Sequence, residues 1–107
     1  MSSRSSAATA IAAVLNGRSL SSALPPVLAE LDGRDRGFCQ ALCFGTLRYY
    51  PALALIIGAL LERPIKPREQ EVQALLAAAI YQLWRLDTAP HAAINESVEA
   101  CRQMNKG

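Results

Sequence analysis

The sequence predicts an all-α fold, a compact bundle of about five to six helices forming one small domain. Apolar residues recur at the spacing of a helical face, and no segment shows the sustained alternation of a half-buried strand. Hydrophobic residues make up 51% of the 107 positions and charged residues 19%, so the chain has enough apolar surface for a core. The short connections between periodic segments are typical of neighbouring antiparallel helices.

The first two helices are delimited by glycine and proline signals. The first is predicted to begin just after Arg4 and to end at Asn16-Gly17. The second covers residues 20–31 and includes the pair Pro25-Pro26. Since proline lacks a backbone donor, this pair is expected either in the first turn or at a break between two helical pieces.

The third and fourth helices follow directly. Asp35 is the predicted N-cap of a third helix over residues 36–49. Pro51 restarts the chain as a first-turn residue of a fourth helix over residues 52–61. Residues 62–67 contain two prolines and are predicted to form a loop.

The last two helices complete the predicted bundle. Residues 69–85 form the fifth helix, whose middle is apolar on almost every side, which indicates the central helix of the bundle. Residues 87–90 are the next connection, and the sixth helix begins at His91 or Ala92 and reaches Met104.

No membrane span or secretory signal is expected. Residues 1–6 are polar, and the longest uncharged apolar run, residues 49–61, is far shorter than the roughly 20 residues of a spanning helix. That run is interpreted as a buried core helix.

The cysteine pattern favours a reducing cytoplasm over a disulfide framework. Cys39, Cys43 and Cys101 are odd in number and lie inside helical patterns. We expect them to be buried as small hydrophobic residues. With His91 as the only histidine, neither a metal site nor a cysteine nucleophile is predicted.

Several motifs together carry a family resemblance. They are LCFGTLR at residues 42–48, Arg63-Pro64, YQL at residues 81–83 and PHAAINESVE at residues 90–99. From Arg4 to Glu99 the chain resembles the N-terminal, NusB-like RNA-binding domain of bacterial small-subunit ribosomal RNA cytosine-C5 methyltransferases of the Sun/Fmu type. That domain is similar in fold to the transcription antitermination factor NusB.

The resemblance implies an RNA-binding accessory domain, formed by residues 1–107, that positions a methyltransferase on ribosomal RNA. In that family the chemistry and the S-adenosylmethionine site belong to a further catalytic domain, so this chain is expected to be a truncated piece with no catalytic residue and no cofactor. Its expected partners are ribosomal RNA, its own catalytic domain and a ribosomal protein. We also expect self-association through an apolar face that the missing part would cover.

Two alternatives remain open from the sequence. One is a protein-interaction module of the NusB antitermination type. The other is a structural domain that stabilises the catalytic domain. A net charge of +2 does not favour RNA binding over these alternatives, because it is too small to predict nucleic-acid binding by itself.

The predicted RNA contacts are therefore individual arginines and an aromatic residue. Arginine supplies a planar fork of donors suited to phosphate, and aromatic rings beside cations stack on unpaired bases. The predicted set is Arg4, Arg18, Arg34, Arg36, Arg48 and Tyr49.

Other polar and aromatic residues are predicted to be structural. Since adjacent helical residues point about 100° apart, at most one of Tyr49 and Tyr50 is expected in the core. Trp84 is predicted to be a core or interface residue, and the Asn95-Glu96 pair to make capping or interhelical hydrogen bonds.

Overall fold

The computed structural model describes residues 2–86 and 88–105, with side chains described up to residue 100. These residues form six α-helices and one 3₁₀ turn, Pro67–Glu69, and within them there is no strand. The predicted all-α bundle is confirmed. The helices are α1 (Ser3–Leu15), α2 (Leu20–Leu28), α3 (Gly33–Arg48), α4 (Tyr50–Leu60), α5 (Gln70–Arg85) and α6 (Pro90–Asn105).

The N-terminal serines start α1 earlier than predicted. Ser5 donates its backbone N–H to Ser2 Oγ at 3.1 Å, and Ser2 N–H donates to Ser5 Oγ at 3.0 Å, so the two form a reciprocal cap. Because the helix begins at Ser3, Arg4 lies in its first turn. The prediction that Arg4 precedes the helix was wrong.

The proline pair lies inside α2, where the sequence allowed only a first turn or a break. Each proline removes one backbone donor, which leaves the carbonyls of Ser21 and Ser22 without their ordinary helical partners. Arg18 partly compensates, since its Nη2 lies 3.4 Å from the carbonyl oxygen of Ser22 and 2.8 Å from its hydroxyl. The helix then ends at Leu28, three residues before the predicted end at Leu31.

The cap of α3 is Asp32, and the prediction of Asp35 was wrong. Asp32 Oδ1 accepts the backbone N–H of Asp35 at 3.1 Å, so the helix begins at Gly33 and Asp35 belongs to its first turn. Pro51 occupies the first turn of α4, as predicted. The second proline of the following loop opens the 3₁₀ turn that leads into α5.

Two helices share the centre of the bundle. α5 packs against α1, α3, α4 and α6, which confirms its predicted central place. α1 packs against α2, α3, α5 and α6. Its small side chains allow close approach, and the Sγ of Cys43 on α3 lies 3.8 Å from the carbonyl oxygen of Ala7. The main core cluster contains Ala7, Ala8, Ala10, Ile11, Ala12, Leu24, Leu31, Cys39, Leu42, Cys43, Ala74, Leu75, Ala78 and Ala100.

The fourth helix is not the buried core helix that its composition predicted. Only Leu53 and Ile57 are buried in α4, where they form a second, small cluster with Ala77 of α5. Leu55 is 77% exposed and Leu60 is 71% exposed. α4 lies at the side of the bundle, packed on α5 and on the end of α3, so most of its surface has no helix against it.

In the described part of the chain, no single helix is long and apolar enough to cross a membrane. α3 and α4 pass that test only together, as a pair bent by 79°. Cys39 and Cys43 are buried and free of disulfides, which confirms their predicted place in the core. The side chain of Cys101 lies outside the described residues.

Candidate nucleic-acid interface

Arginines and aromatic rings meet where the end of α3 lies beside the end of α5. We call this surface the aromatic–arginine patch and define it by five residues. They are Phe44, Arg48, Tyr49, Trp84 and Arg85. Phe44 and Arg48 belong to the last turns of α3, and Tyr49 is its C-cap. Trp84 and Arg85 form the end of α5.

Tyr49 is the structural centre of the patch. Its ring stacks on Tyr81, with centroids 6.1 Å apart and planes at 23°. Its other neighbour is Trp84, which meets it edge-on at 5.1 Å and 74°. Both distances fall in the range at which aromatic pairs attract one another. The three rings hold each other in place, and Tyr49 is half-buried among them.

The two arginines lie against these rings. The guanidinium carbon of Arg85 is 4.8 Å from the Tyr49 centroid and 5.1 Å from the Trp84 centroid. Arg85 Nη2 also donates a hydrogen bond to Tyr49 Oη at 3.1 Å. Arg48 lies 5.7 Å from the Tyr49 centroid. Such cation–π contacts orient the guanidinium groups without neutralising their charge.

A shallow recess of about 390 Å³ opens between Phe44, Arg48, Tyr49 and Arg85. Its floor exists because Gly45 has no side chain, since a Cβ at this position would collide with the ring of Tyr81. No carboxylate is among the residues that line the recess. Phe44 is 58% exposed and Trp84 is 49% exposed, so apolar rings and positive charge reach solvent together.

This arrangement suits single-stranded RNA. Exposed aromatic faces stack on unpaired bases, and adjacent guanidinium groups attract the phosphates on either side. Aromatic rings and guanidinium groups side by side are a combination suited to binding.

Of the predicted contacts, Arg4 has the most intramolecular partners. Its Nε donates to Oε1 of the buried Gln82 at 2.9 Å, and its guanidinium lies 4.9 Å from the ring centroid of Phe38. Glu96 of α6 approaches it at 3.9 Å, an interhelical ion pair rather than the capping or interhelical hydrogen bond predicted for that residue. The side chain of Arg4 is only 13% exposed. Burial lowers the pKa of Arg4, and the carboxylate of Glu96 opposes this shift.

The other predicted residues do not form one surface. Arg34 and Arg36 are exposed at the start of α3, and Arg48 lies at its end, about 20 Å away at 1.5 Å per residue. Arg36 donates through Nε to the carbonyl oxygens of Leu28, at 3.1 Å, and Leu31, at 2.7 Å. Arg18 is exposed and bonded to Ser22. RNA contact at any of the six residues stays a prediction, and only Arg48 and Tyr49 lie together.

The prediction of RNA contacts from the sequence did not include Arg85, Phe44 or Tyr81, which belong to this region. Its interpretation of Trp84 was half right, since the indole packs on Tyr49 while half of it stays exposed. One signal was available, because Arg48-Tyr49 and Trp84-Arg85 each place an arginine beside an aromatic at a helix end.

At most one of the two adjacent tyrosines was expected in the core, and both are half-buried. Neither Tyr49 nor Tyr50 is freely exposed, because both rings pack against α5. Tyr50 Oη accepts a hydrogen bond from Gln73 Nε2 at 3.1 Å.

Of the described side chains, Cys39 and Cys43 are not brought together with His91 to form a site. Cys39 and Cys43 are buried in α3, and His91 is exposed in the first turn of α6. A hydrogen bond with Cys39, together with burial, raises the pKa of the Cys43 thiol above its usual range, so this thiol stays protonated. Within the described residues, no group of three or more His, Cys, Asp or Glu side chains could hold a metal ion.

Comparison with known proteins agrees with the fold. The sequence profile of the NusB family matches residues 1–107. Three similar proteins carry the name ribosomal RNA small subunit methyltransferase B. The protein from Pseudomonas putida is 46% identical over 107 residues, which cover 99% of this chain and 24% of that protein. The protein from Pseudomonas syringae pv. tomato is 43% identical, with the same coverage of both chains.

The third, from Xanthomonas campestris pv. campestris, is 43% identical over 108 residues, covering 99% of this chain and 25% of that protein. The chain therefore spans about a quarter of the length of the curated relatives it matches.

Proposed function

The chain belongs to the NusB family, and from that premise we propose that it is an RNA-binding accessory domain of a ribosomal RNA methyltransferase. Its role is to position a cytosine-C5 methyltransferase on small-subunit ribosomal RNA, which implies a cytoplasmic location. The observation that carries the proposal is the aromatic–arginine patch, because it combines exposed rings with guanidinium groups and lacks a lining carboxylate. The names of the similar proteins support the choice of ribosomal RNA.

Two interactions would contribute to the free energy of RNA binding at the patch, phosphate attraction and base stacking. Phosphates are attracted by Arg48 and Arg85, which gives affinity that falls steeply with salt. An unpaired base stacks on the exposed face of Trp84 or Phe44, and each such stack contributes about 1–3 kcal/mol. The rigid packing of Tyr49 keeps both arginines near the rings before RNA arrives, so little side-chain freedom is lost on binding.

The methyl transfer itself is assigned to the rest of the full-length protein. Nucleotide-type cofactors are held by a glycine-rich turn between a strand and a helix, and the described residues contain no strand. The described residues therefore do not form an S-adenosylmethionine site of that type.

The proposal is tested by titrating this chain against a small-subunit ribosomal RNA hairpin at several salt concentrations. The double variant Arg48→Gln/Arg85→Gln is compared with Lys66→Gln/Arg68→Gln, which removes the same charge at the exposed 3₁₀ turn. We expect the patch variant to bind at least about tenfold more weakly, with a log–log salt slope shallower by about 1.5. The control is expected to stay within about twofold of the wild-type affinity.

Two results would count against this proposal. The first is wild-type affinity no higher for the ribosomal hairpin than for an unrelated RNA. The second is an equal loss in the patch and control variants, which would show that net charge alone carries the binding.

One observation favours the alternative, a protein-interaction module of the antitermination type. A largely apolar recess of about 300 Å³ lies between α2 and α3, lined mainly by Leu20, Leu24, Pro25, Leu28 and Phe44. Exposed apolar surface of this kind is typical of protein docking sites. Binding of a ribosomal protein that survives the Arg48→Gln/Arg85→Gln change and is lost in Pro25→Glu, at an exposed lining position, would favour this alternative.

A further inference from the structure

Another cleft lies between α4 and the start of α5. It has a volume of about 450 Å³ and is lined by α4, by residues 61–65 and by the first turns of α5. Tyr50, Gly58, Arg63, Gln70 and Gln73 are among the residues that line it. We call it the α4–α5 cleft.

Gly58 is one of the residues that line the cleft. A glycine inside a helix costs roughly 0.5–1 kcal/mol relative to alanine, so it normally marks a place where another group comes close. No atom lies within 4 Å of the position that a Cβ of Gly58 would occupy. Packing within the chain therefore does not require this glycine, and the space beside it belongs to the cleft.

One wall of the cleft carries polar groups with unused hydrogen-bonding capacity. Gln73 donates through Nε2 to Tyr50 Oη, which fixes the amide and the phenol relative to each other. The amide of the half-buried Gln70 makes no hydrogen bond to any described residue. The cleft thus offers amide donors and acceptors beside an oriented aromatic ring.

The opposite wall is apolar, and the rim carries the exposed side chains of Glu62 and Arg63. Ile57, Leu61 and Ile65 supply flat aliphatic surface on either side of Gly58. Arg63 lies exposed at the rim and forms no ion pair with a described residue. A planar heterocycle with polar edges suits such a slot, and a phosphate attached to it would meet the guanidinium group.

We infer that the α4–α5 cleft binds one unpaired nucleobase of the RNA, with Gln70 and Gln73 on its polar edge and Arg63 on its phosphate. This inference rests on the proposed function and extends it, because the patch attracts and stacks RNA without reading its sequence, whereas paired amides read a base edge. Tyr49 and Tyr50 are adjacent in the chain, so one strand can reach both surfaces.

The test fills the cleft. Gly58→Leu places a side chain into the open space, and Gly37→Leu is the matched control. Gly37 is also an exposed helical glycine with no atom within 4 Å of its Cβ position, and it lines no part of the cleft. Both variants are expected to fold, since leucine favours helix more than glycine does. We expect Gly58→Leu to weaken binding of a ribosomal hairpin with an unpaired loop about tenfold, and Gly37→Leu to change it less than about twofold.

A second variant and a fluorescent probe test base binding in the cleft without relying on Gly58→Leu alone. Gln73→Met keeps the side-chain volume and removes the amide, and it is expected to weaken hairpin binding while leaving binding of a fully paired duplex unchanged. The fluorescent base 2-aminopurine, placed in turn at each unpaired position, should respond to protein at one position. That response should be lost in Gly58→Leu and kept in Gly37→Leu.

The outcomes distinguish failure of base binding in the cleft from failure of the proposed RNA-binding function. If the hairpin binds and Arg48→Gln/Arg85→Gln weakens it, while Gly58→Leu and Gln73→Met match Gly37→Leu, the base-binding role is overturned and the RNA-binding role stands. If wild-type protein prefers no ribosomal hairpin at all, the proposed function is overturned and the cleft inference falls with it.

Discussion

α1 and α4 invert the usual relation between composition and burial. α1 has the sequence SRSSAATAIAAVL, in which five of thirteen residues are serine, threonine or arginine, yet eight of its residues are buried. α4 has the sequence YPALALIIGAL, without a single charged group, yet only Leu53 and Ile57 are buried. Apolar content therefore does not decide which helix forms the centre of this bundle.

The difference comes from what surrounds each helix. α1 lies among α2, α3, α5 and α6, and a helix with neighbours on most sides must present small side chains to let their backbones approach. α4 packs on α5 and on the end of α3 and has no neighbour on its outer side. In this fold, side-chain size on α1 is constrained by packing, whereas side-chain size on the outer side of α4 is not.

The largest expected effect comes from enlarging the same residue type in both helices. Ala8 is completely buried in α1, and Ala59 is exposed in α4. Ala8→Leu must displace packed neighbours and is expected to lower the free energy of unfolding by about 3 kcal/mol. Ala59→Leu is expected to change it by less than about 0.5 kcal/mol.

Urea denaturation followed by circular dichroism measures both variants. Equal losses from Ala8→Leu and Ala59→Leu would mean that α4 is packed as tightly as α1, and the contrast between the two helices would disappear.

A smaller effect is expected from the polar contact that fixes α1 on α5. Gln82 is fully buried, accepts from Arg4 and donates through Nε2 to the carbonyl of Ala78 at 3.1 Å. Gln82→Ala leaves the guanidinium without this acceptor and is expected to cost about 2 kcal/mol of unfolding free energy. Gln40→Ala, at an exposed position on α3, is the control and should be nearly neutral.

Thermal and urea unfolding of the two glutamine variants measure how much the Arg4–Gln82 hydrogen bond stabilises the fold. A neutral Gln82→Ala would show that hydrophobic packing alone holds α1 in place. Gln82→Glu, which keeps an acceptor for Arg4, should recover part of the loss.

The smallest change in stability is expected on the exposed side of α4. Leu55→Lys/Leu60→Lys should alter the free energy of unfolding by less than about 0.5 kcal/mol, because both side chains are already in solvent. The same variant should abolish the self-association that we expect of the wild-type chain at high concentration. Sedimentation velocity over a wide concentration range measures this, and a wild-type protein that stays monomeric throughout would contradict the expectation.

Local signals in the sequence predicted the helices but not all of their limits. Pro51 and the loop of residues 62–67 were recognised because proline acts on its own immediate backbone. The start of α3 was misplaced because Asp32 and Asp35 are equally good caps, and only the turn geometry chooses Asp32. The proline pair of α2 was misjudged because a neighbouring side chain, Arg18, supplies a donor that no rule of helix interiors includes.

The candidate site was predictable only in part. Arg48 and Tyr49 stand together in the sequence, so their combination of charge and ring was visible there. Trp84 and Arg85 join them only because α5 ends beside the end of α3. Arg4 looked like a free cation in the sequence, and its contacts with Gln82, Glu96 and Phe38 come from three different helices.

Local sequence patterns were sufficient to predict the all-α class, the number and approximate limits of the helices and the burial of Cys39 and Cys43, because helix periodicity and capping are local properties of the chain. Only the tertiary structure decided that α1 is central, that α4 is exposed and that the aromatic–arginine patch and the α4–α5 cleft exist. These features depend on which helices become neighbours, and that choice minimises the free energy of the whole packed bundle rather than that of any one segment.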